Sequence, residues 1–383
     1  MSFDTKQMLE DLRAVVERES PSTDLAAVAR SADTITELGE RLLGCSPERI
    51  VIEGRTHLRW RFGTPRVLVL CHHDTVWPIG SLIEHPFEIN GDVLRGPGCF
   101  DMKVGLVMAL HAIAALPNRD GVSLLVTGDE ELGSPSSRQL IEDEAIGCAA
   151  ALVLEASADG GALKVARKGV SLYEVAVQGR AAHAGLEPER GVNASIEAAH
   201  QILAVASLGD AELGTTVTPT LLCSGTTTNT VPAASSFAVD VRVRTLAEQD
   251  RVDTAMRALA ATLPDAVLNV TGGANRPPLE ESAALDLFAR ASRLAVELGL
   301  GRLEGASVGG ASDGNFTAGI GVPTLDGLGA VGGGAHASNE HALVGAWIER
   351  TGLVHALIAE LIHEFSQTDP ALVVRGREPD YIP

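Results

Sequence analysis

Five side chains able to hold a metal ion sit just after apolar runs or in glycine-rich turns: His72, Asp101, Glu131, Glu155 and His336. Asp74 and Glu130 stand beside two of them. Carboxylates mixed with imidazole, without thiolate, suit zinc, manganese or cobalt rather than an iron–sulfur cluster. In His72-His73-Asp74 an extended backbone sends alternate side chains to one side, so His72 and Asp74 face together and His73 turns away. Asp74 is then placed to orient the imidazole. Asp101 lies in GPGCFDMK, where glycines and a proline force a rigid loop. Its two oxygens can bridge two ions; the alternative is an N-cap for a helix starting near Lys103. Glu130 and Glu131 adjoin in TGDEELGS, and neighbouring carboxylates repel. A metal would hold one while the other takes a proton from water as general base; the plainer alternative is a solvated acidic turn. Glu155 ends an ALVL run, where an unpaired acid is costly, and an ion pair with Arg167 or Lys168 is the competing account.

The elements that must position these groups follow one grammar from Arg66. VLVL, the helical stretch Val104 to Leu116, SLLVTG, the polar helix Ser136 to Ile146 and ALVLEA alternate apolar runs with helices. That pattern predicts an α/β domain with a largely parallel sheet covered on both faces. Chemistry in such sheets collects at the carboxyl ends of strands, which is where His72, Glu130, Glu131 and Glu155 fall. After Lys168 the pattern changes: strand 171–178, amphipathic helix 192–208, strands 218–223 and 236–243, helix 246–263 and strand 266–270. This β-α-β-β-α-β order is ferredoxin-like. Gly272 to Pro278 reads as a return linker, after which helix 283–298, a glycine-rich stretch, strand 321–325 and helix 346–365 resume the first grammar. The expected organisation is a discontinuous catalytic domain, 1–168 and 279–383, interrupted by a small domain at 169–278.

Composition bounds the rest. At about 150 residues per domain, 383 residues make two or three domains. Thirty basic against fifty acidic residues, a net charge of −20, argue against nucleic acid or an anionic membrane as partner. The longest apolar stretch, Gly105 to Leu116, is short of the roughly 20 residues that cross a bilayer. No export signal is visible at the N-terminus, and five cysteines without a CxxC pair fit a reducing compartment; a cytoplasmic location is expected.

Taken in order and spacing, CHHDTV, GPGCFDMK, TGDEELGS, LVLEA, QGRAAHAG and GGGAHASNE resemble the zinc aminopeptidase-like family. That family includes glutamate carboxypeptidase, succinyl-diaminopimelate desuccinylase, acetylornithine deacetylase and aminoacylase. The resemblance spans roughly residues 66 to 345 and is nearest to the glutamate carboxypeptidase branch, also through WPIGSL, EPERGVNAS, TTTNTVPA, VDVR and GGASDG. It implies two zinc ions per subunit, replaceable by cobalt or manganese. Asp101 would bridge them, with Glu131 and His336 completing one site and His72 and Glu155 the other. Glu130 would be the general base, Asp74 the acid that orients, and the Asp101–Met102 bond cis. The inserted domain would be a lid through which two subunits dimerise, His183 reaching the partner's active site to stabilise the oxyanion and Asn229 lying near the same site. Arg242 and Arg276 occupy places where a lid arginine binds the substrate carboxylate, and Gly310 would let backbone amides approach the substrate. The implied activity is release of a C-terminal or N-acylated amino acid from a small peptide or N-acyl substrate. The alternatives are an N-acyl or N-carbamoyl amino-acid hydrolase of the deacetylase or desuccinylase type and, more remotely, a non-catalytic metal-binding homologue. One departure stands out: the usual glycine after the lysine of DxKGG is Val104.

Overall fold

A computed structural model describes residues 3–368. The chain divides into two compact units. The first holds the residues up to Val165, Glu281–Val308 and those from Ser312 onward; the second holds Ala166–Glu280 with Gly309–Ala311.

The first unit is built on a six-stranded sheet ordered Glu48–Ile52, Arg55–Phe62, Val122–Thr127, Val67–His72, Ala150–Val153, Thr324–Leu325. The last four run parallel to one another, and Arg55–Phe62 is antiparallel to both of its neighbours, so the expected largely parallel sheet is present. Every residue of Val67–His72, Val122–Thr127 and Ala150–Val153 is buried, which continuous aliphatic runs require when helices cover both faces. On one face lies Val104–Ala114, an almost wholly apolar helix. On the other, Leu68, Leu70, Leu125 and Val153 pack with Ile141, Ala145 and Phe316 of the helices Arg138–Ala145 and Gly314–Gly319. Val104 is fully buried, so its departure from glycine is absorbed by packing. Gly105 is the position without room: a Cβ there would lie 1.9 Å from the Leu154 carbonyl oxygen, because the helix passes directly over that strand's end. The strand foreseen over 321–325 is confined to Thr324–Leu325; Ile320 closes the preceding helix and Gly321 turns the chain with φ +86°.

A smaller sheet, ordered Gly332–Gly333, His341–Leu343, Val93–Arg95, Glu88–Asn90, was not foreseen. Its pairing of His341 with Arg95 sets the loop leaving Arg95 beside the loop arriving at His341. Those loops carry Asp101 and His336.

The second unit is an antiparallel sheet ordered Thr216–Ser224, Ala234–Val243, Gly169–Gln178, Val267–Arg276, with helices Ala194–Ala206 and Leu246–Arg257 in the expected β-α-β-β-α-β sequence. Alternate residues Tyr173, Val175, Val177, Phe237, Val239, Val241 and Val243 form its core with Ala194, Ala198, Val252 and Met256 from the helices. Two expectations need correcting. The segment read as a linker from Gly272 is strand as far as Arg276; a bulge between Ala274 and Arg276 absorbs its irregular sequence. The second helix ends at Arg257 rather than near Leu263, and the Thr262 and Leu263 amides donate instead to the buried Glu197 carboxylate at 2.7–3.1 Å.

Candidate metal centre

Parallel strands point their carboxyl ends the same way, so His72, the turn after Thr127 and Glu155 share one edge of the sheet. His72 Nε2 lies 3.3 Å from Asp101 Oδ1 and 3.4 Å from Glu155 Oε1. His336 Nε2 lies 3.4 Å from Asp101 Oδ2 and 3.0 Å from Glu131 Oε2. The two oxygens of Asp101 therefore face different imidazoles. Ligand atoms of His72, Glu130 and Glu155 fall within 4.8 Å of one another, as do those of His72, Asp101 and Glu131. Glu155 faces His72. Asp101 is not the cap of the following helix: Lys103 holds the N-cap position, no side chain caps that helix, and the Asp101–Met102 peptide is cis. Glu130 is buried, which does not match a solvated acidic turn.

Electrostatics define what this group lacks. Burial would push the His72 imidazole down, but hydrogen bonds to Asp101, Asp74 and Glu155 hold it well above the usual histidine range. Hydrogen bonds to Asp101 and Glu131 raise His336 to about 10. Burial raises Glu131, helped by the Asp101 charge, although His336 opposes it. The carboxylates thus demand positive charge at the point where they converge. A set of carboxylate oxygens and imidazole nitrogens fits a pair of divalent ions of the zinc, cobalt or manganese kind. The neighbouring thiol, Cys71, is buried and its ionisation strongly suppressed by desolvation.

The residues around the group settle its shape. Asp74 does face His72, with Oδ1 3.5 Å from Nδ1, but that nitrogen is nearer the Asp74 carbonyl, at 3.0 Å. Besides facing His72, the carboxylate of Asp74 accepts from Ser22 Oγ at 2.7 Å and from the Glu130 and Glu131 amides at 3.2 Å each. It therefore holds the turn that presents both glutamates. His73 turns away, to Ser31 Oγ and the Thr56 carbonyl, and burial lowers it to about 4.

Several supporting contacts were not foreseen from the sequence. Asp129, fully buried, accepts from the Ser136 amide and hydroxyl and from Ser137 Oγ at 2.5–2.8 Å. Asp313 of the GGASDG segment accepts from Thr127 Oγ1 at 2.9 Å and from Ser134 Oγ, tying this segment to the same turn. Glu340 accepts from Trp77 Nε1 and from the amides of Gly98, Phe100 and Asp101. Each lies within a motif already noticed; the partners of Asp313 and Glu340 are distant in sequence, whereas those of Asp129 are seven and eight residues on.

His183, Asn229, Arg242, Arg276 and Gly310 belong to the second unit. His183 is exposed, and its Nδ1 accepts from the Gly185 and Leu186 amides at 3.1 Å, which leaves Nε2 to carry the proton. The Asn229 carbonyl accepts from the Ala184 amide at 2.9 Å, so the two segments adjoin. Arg242 is bound at 2.8 and 2.9 Å to both oxygens of Asp240. Arg276 is buried at the end of its strand, and Gly310 receives Arg167 on its carbonyl. His341 points Nδ1 at the Asn339 carbonyl, a structural contact.

The α/β sheet gathers carboxylates and imidazoles at its carboxyl edge, a donor set able to hold metal ions. The pattern of Peptidase family M20/M25/M40 matches residues 68–360, and the chain belongs to that family. Carboxypeptidase G2 of Pseudomonas sp. (strain RS-16) is 31% identical over 349 residues, which cover 87% of this chain and 80% of that protein. Succinyl-diaminopimelate desuccinylase of Caulobacter vibrioides (strain NA1000 / CB15N) is 29% identical over 237 residues, 56% of this chain and 61% of that one. The solved structure of aminopeptidase PepT from Bacillus cereus ATCC 10987 shares the fold, with TM-score 0.72 at 21% identity over 94% of this chain and 99% of that chain. The chain is a hydrolytic enzyme of the metallopeptidase and amidohydrolase class. Among the described residues no helix is long and apolar enough to cross a membrane.

Proposed function

We propose that this enzyme carries two metal ions, zinc by expectation with cobalt or manganese able to replace it, and cleaves an amide to release a C-terminal or N-acylated amino acid. The observation that carries the reading is the division of Asp101 between His72 and His336. Asp101 would bridge, Glu131 and His336 would serve one ion, and His72 and Glu155 the other. When bound, the ions supply acidification of a water molecule and polarisation of the scissile carbonyl. Glu130, buried beside them, takes the water's proton and returns it to the departing amine. Asp74 keeps the Glu130–Glu131 turn in place through its amides.

The second unit is proposed as lid and dimerisation domain. Its edge strand Thr216–Ser224 exposes Leu221 (81%) and its first helix exposes Leu203 (72%), apolar surface that a second copy would cover. The Nε2 proton of His183 would serve the oxyanion in the partner's site, with Asn229 alongside. Arg276 or Arg242, the latter paired with Asp240, would take the substrate carboxylate, with Gly310 near the substrate backbone. Free cysteines support a cytoplasmic setting. The second reading, an N-acyl or N-carbamoyl hydrolase, is favoured by the similarity to a desuccinylase.

A panel of dipeptides, N-acyl and N-carbamoyl amino acids, each with its C-terminal amide counterpart, tests the reading. Expected is cleavage, followed as release of the amino acid or of its amide, that falls about tenfold or more when the free carboxylate is amidated, the effect of losing a charge-assisted pair. Equal cleavage of acid and amide would contradict carboxylate recognition.

A further inference from the structure

We propose that Glu340 is a positioning residue: it fixes the backbone of Asp101 against the loop of His336 and so sets the separation of the two metal sites. The inference rests on the metal-centre reading above.

Glu340 is 4% exposed and lies four residues beyond His336. Its Oε1 accepts from the amides of Phe100 at 2.9 Å and Asp101 at 3.1 Å. Its Oε2 accepts from the Gly98 amide at 2.9 Å and Trp77 Nε1 at 2.7 Å. All four partners are donors, so the side chain must offer acceptors on both oxygens, which a carboxylate does and an amide does not. The grip is possible because His341 pairs with Arg95, setting Glu340 beside the turn that runs from Gly96 to Asp101. One side chain thereby joins the loop carrying Asp101 to the loop carrying His336. The amide of Asp101 is itself one of the bonds, so a change at Glu340 rotates the very peptide from which the carboxylate projects. The lengthwise neighbour Lys103, also buried, donates Nζ to the Arg18 carbonyl at 3.1 Å and brings positive charge to the same region.

Glutamine is the informative replacement. It has nearly the same shape, but its NH2 must face one pair of donors, so two of the four bonds become donor-to-donor contacts while the amide oxygen keeps the other two. The test is equilibrium titration of the metal-free full chain with Co²⁺, following visible absorption and the binding isotherm, for wild type, Glu340→Gln, Glu340→Asp and a control. The control is Glu144→Gln, a buried carboxylate bound by Arg59, Arg61 and Ser123 away from the centre. Expected is wild-type binding and spectrum for the control. For Glu340→Gln, binding of one Co²⁺ equivalent should weaken about tenfold or more, the usual size for losing a group that orients a ligand, with a changed spectrum. Glu340→Asp, which keeps the charge, should fall between and carries the test if the glutamine variant does not fold. A Glu340 variant matching wild type, or one no weaker than Glu144→Gln at equal loss of Tm, would overturn the inference. Failure of wild type itself to bind Co²⁺ would instead remove the metal-centre reading, and this inference with it.

Discussion

Replacing Glu130 by alanine is expected to leave the protein folded and metal-loaded while kcat falls by about 10²–10⁴, the usual contribution of a positioned general base, or roughly 3–5 kcal/mol of barrier. The reasoning is geometric. Glu130 is buried within 4.8 Å of ligand atoms of His72 and Glu155, but Asp101, Glu131, Glu155 and both histidines already provide enough donors for two ions. Metal content by atomic emission, read beside kcat, decides between base and ligand. Loss of metal in proportion to activity would make Glu130 a ligand, and unchanged turnover would remove its role altogether. The same variant reports on the lid. Mixed with a His183→Ala chain it should recover part of the activity, because a hybrid dimer contains one site with both residues intact. Confirmed mixed dimers without recovery would place His183 outside the partner's site.

Asp101→Asn carries the other large effect. The amide keeps the size of the side chain but replaces one acceptor oxygen by a donor facing either His72 or His336, and it removes the charge that both imidazoles answer. Losing a group that merely orients a ligand costs roughly 10–100-fold in metal affinity. Losing the shared ligand should cost more than about 100-fold for at least one ion, and turnover should fall with it. Competition with a chromogenic chelator measures this directly. Two ions bound at wild-type affinity would show that Asp101 does not bridge.

The metal-ligating candidates were legible because each stands where a buried strand stops or where glycines force a turn. A parallel sheet then collects strand ends at one edge, so His72, Glu131 and Glu155 had to converge. What was illegible depended on contacts across the chain. Asp74 Oδ1 lies 3.5 Å from His72 Nδ1, and its carboxylate also holds amides 56 and 57 residues away, which the H-x-D spacing does not reveal. Glu340 reaches Asp101 over 239 residues through a small sheet whose strands of two and three residues leave no hydrophobic period to read. Gly272 and the prolines after Arg276 suggested a linker, but an irregular strand with a bulge satisfies the same residues. The pairing of Arg242 with Asp240 was available in principle, since residues two apart on a strand share a face.

The central claim is that catalysis requires two ions held by one set of residues. The direct measurement is titration of the metal-free enzyme with Zn²⁺ or Co²⁺ while amino-acid release is followed. Activity should be absent at zero metal and should reach its plateau at two equivalents per chain. Full turnover without metal, or a plateau at one equivalent that a second leaves unchanged, would contradict the account.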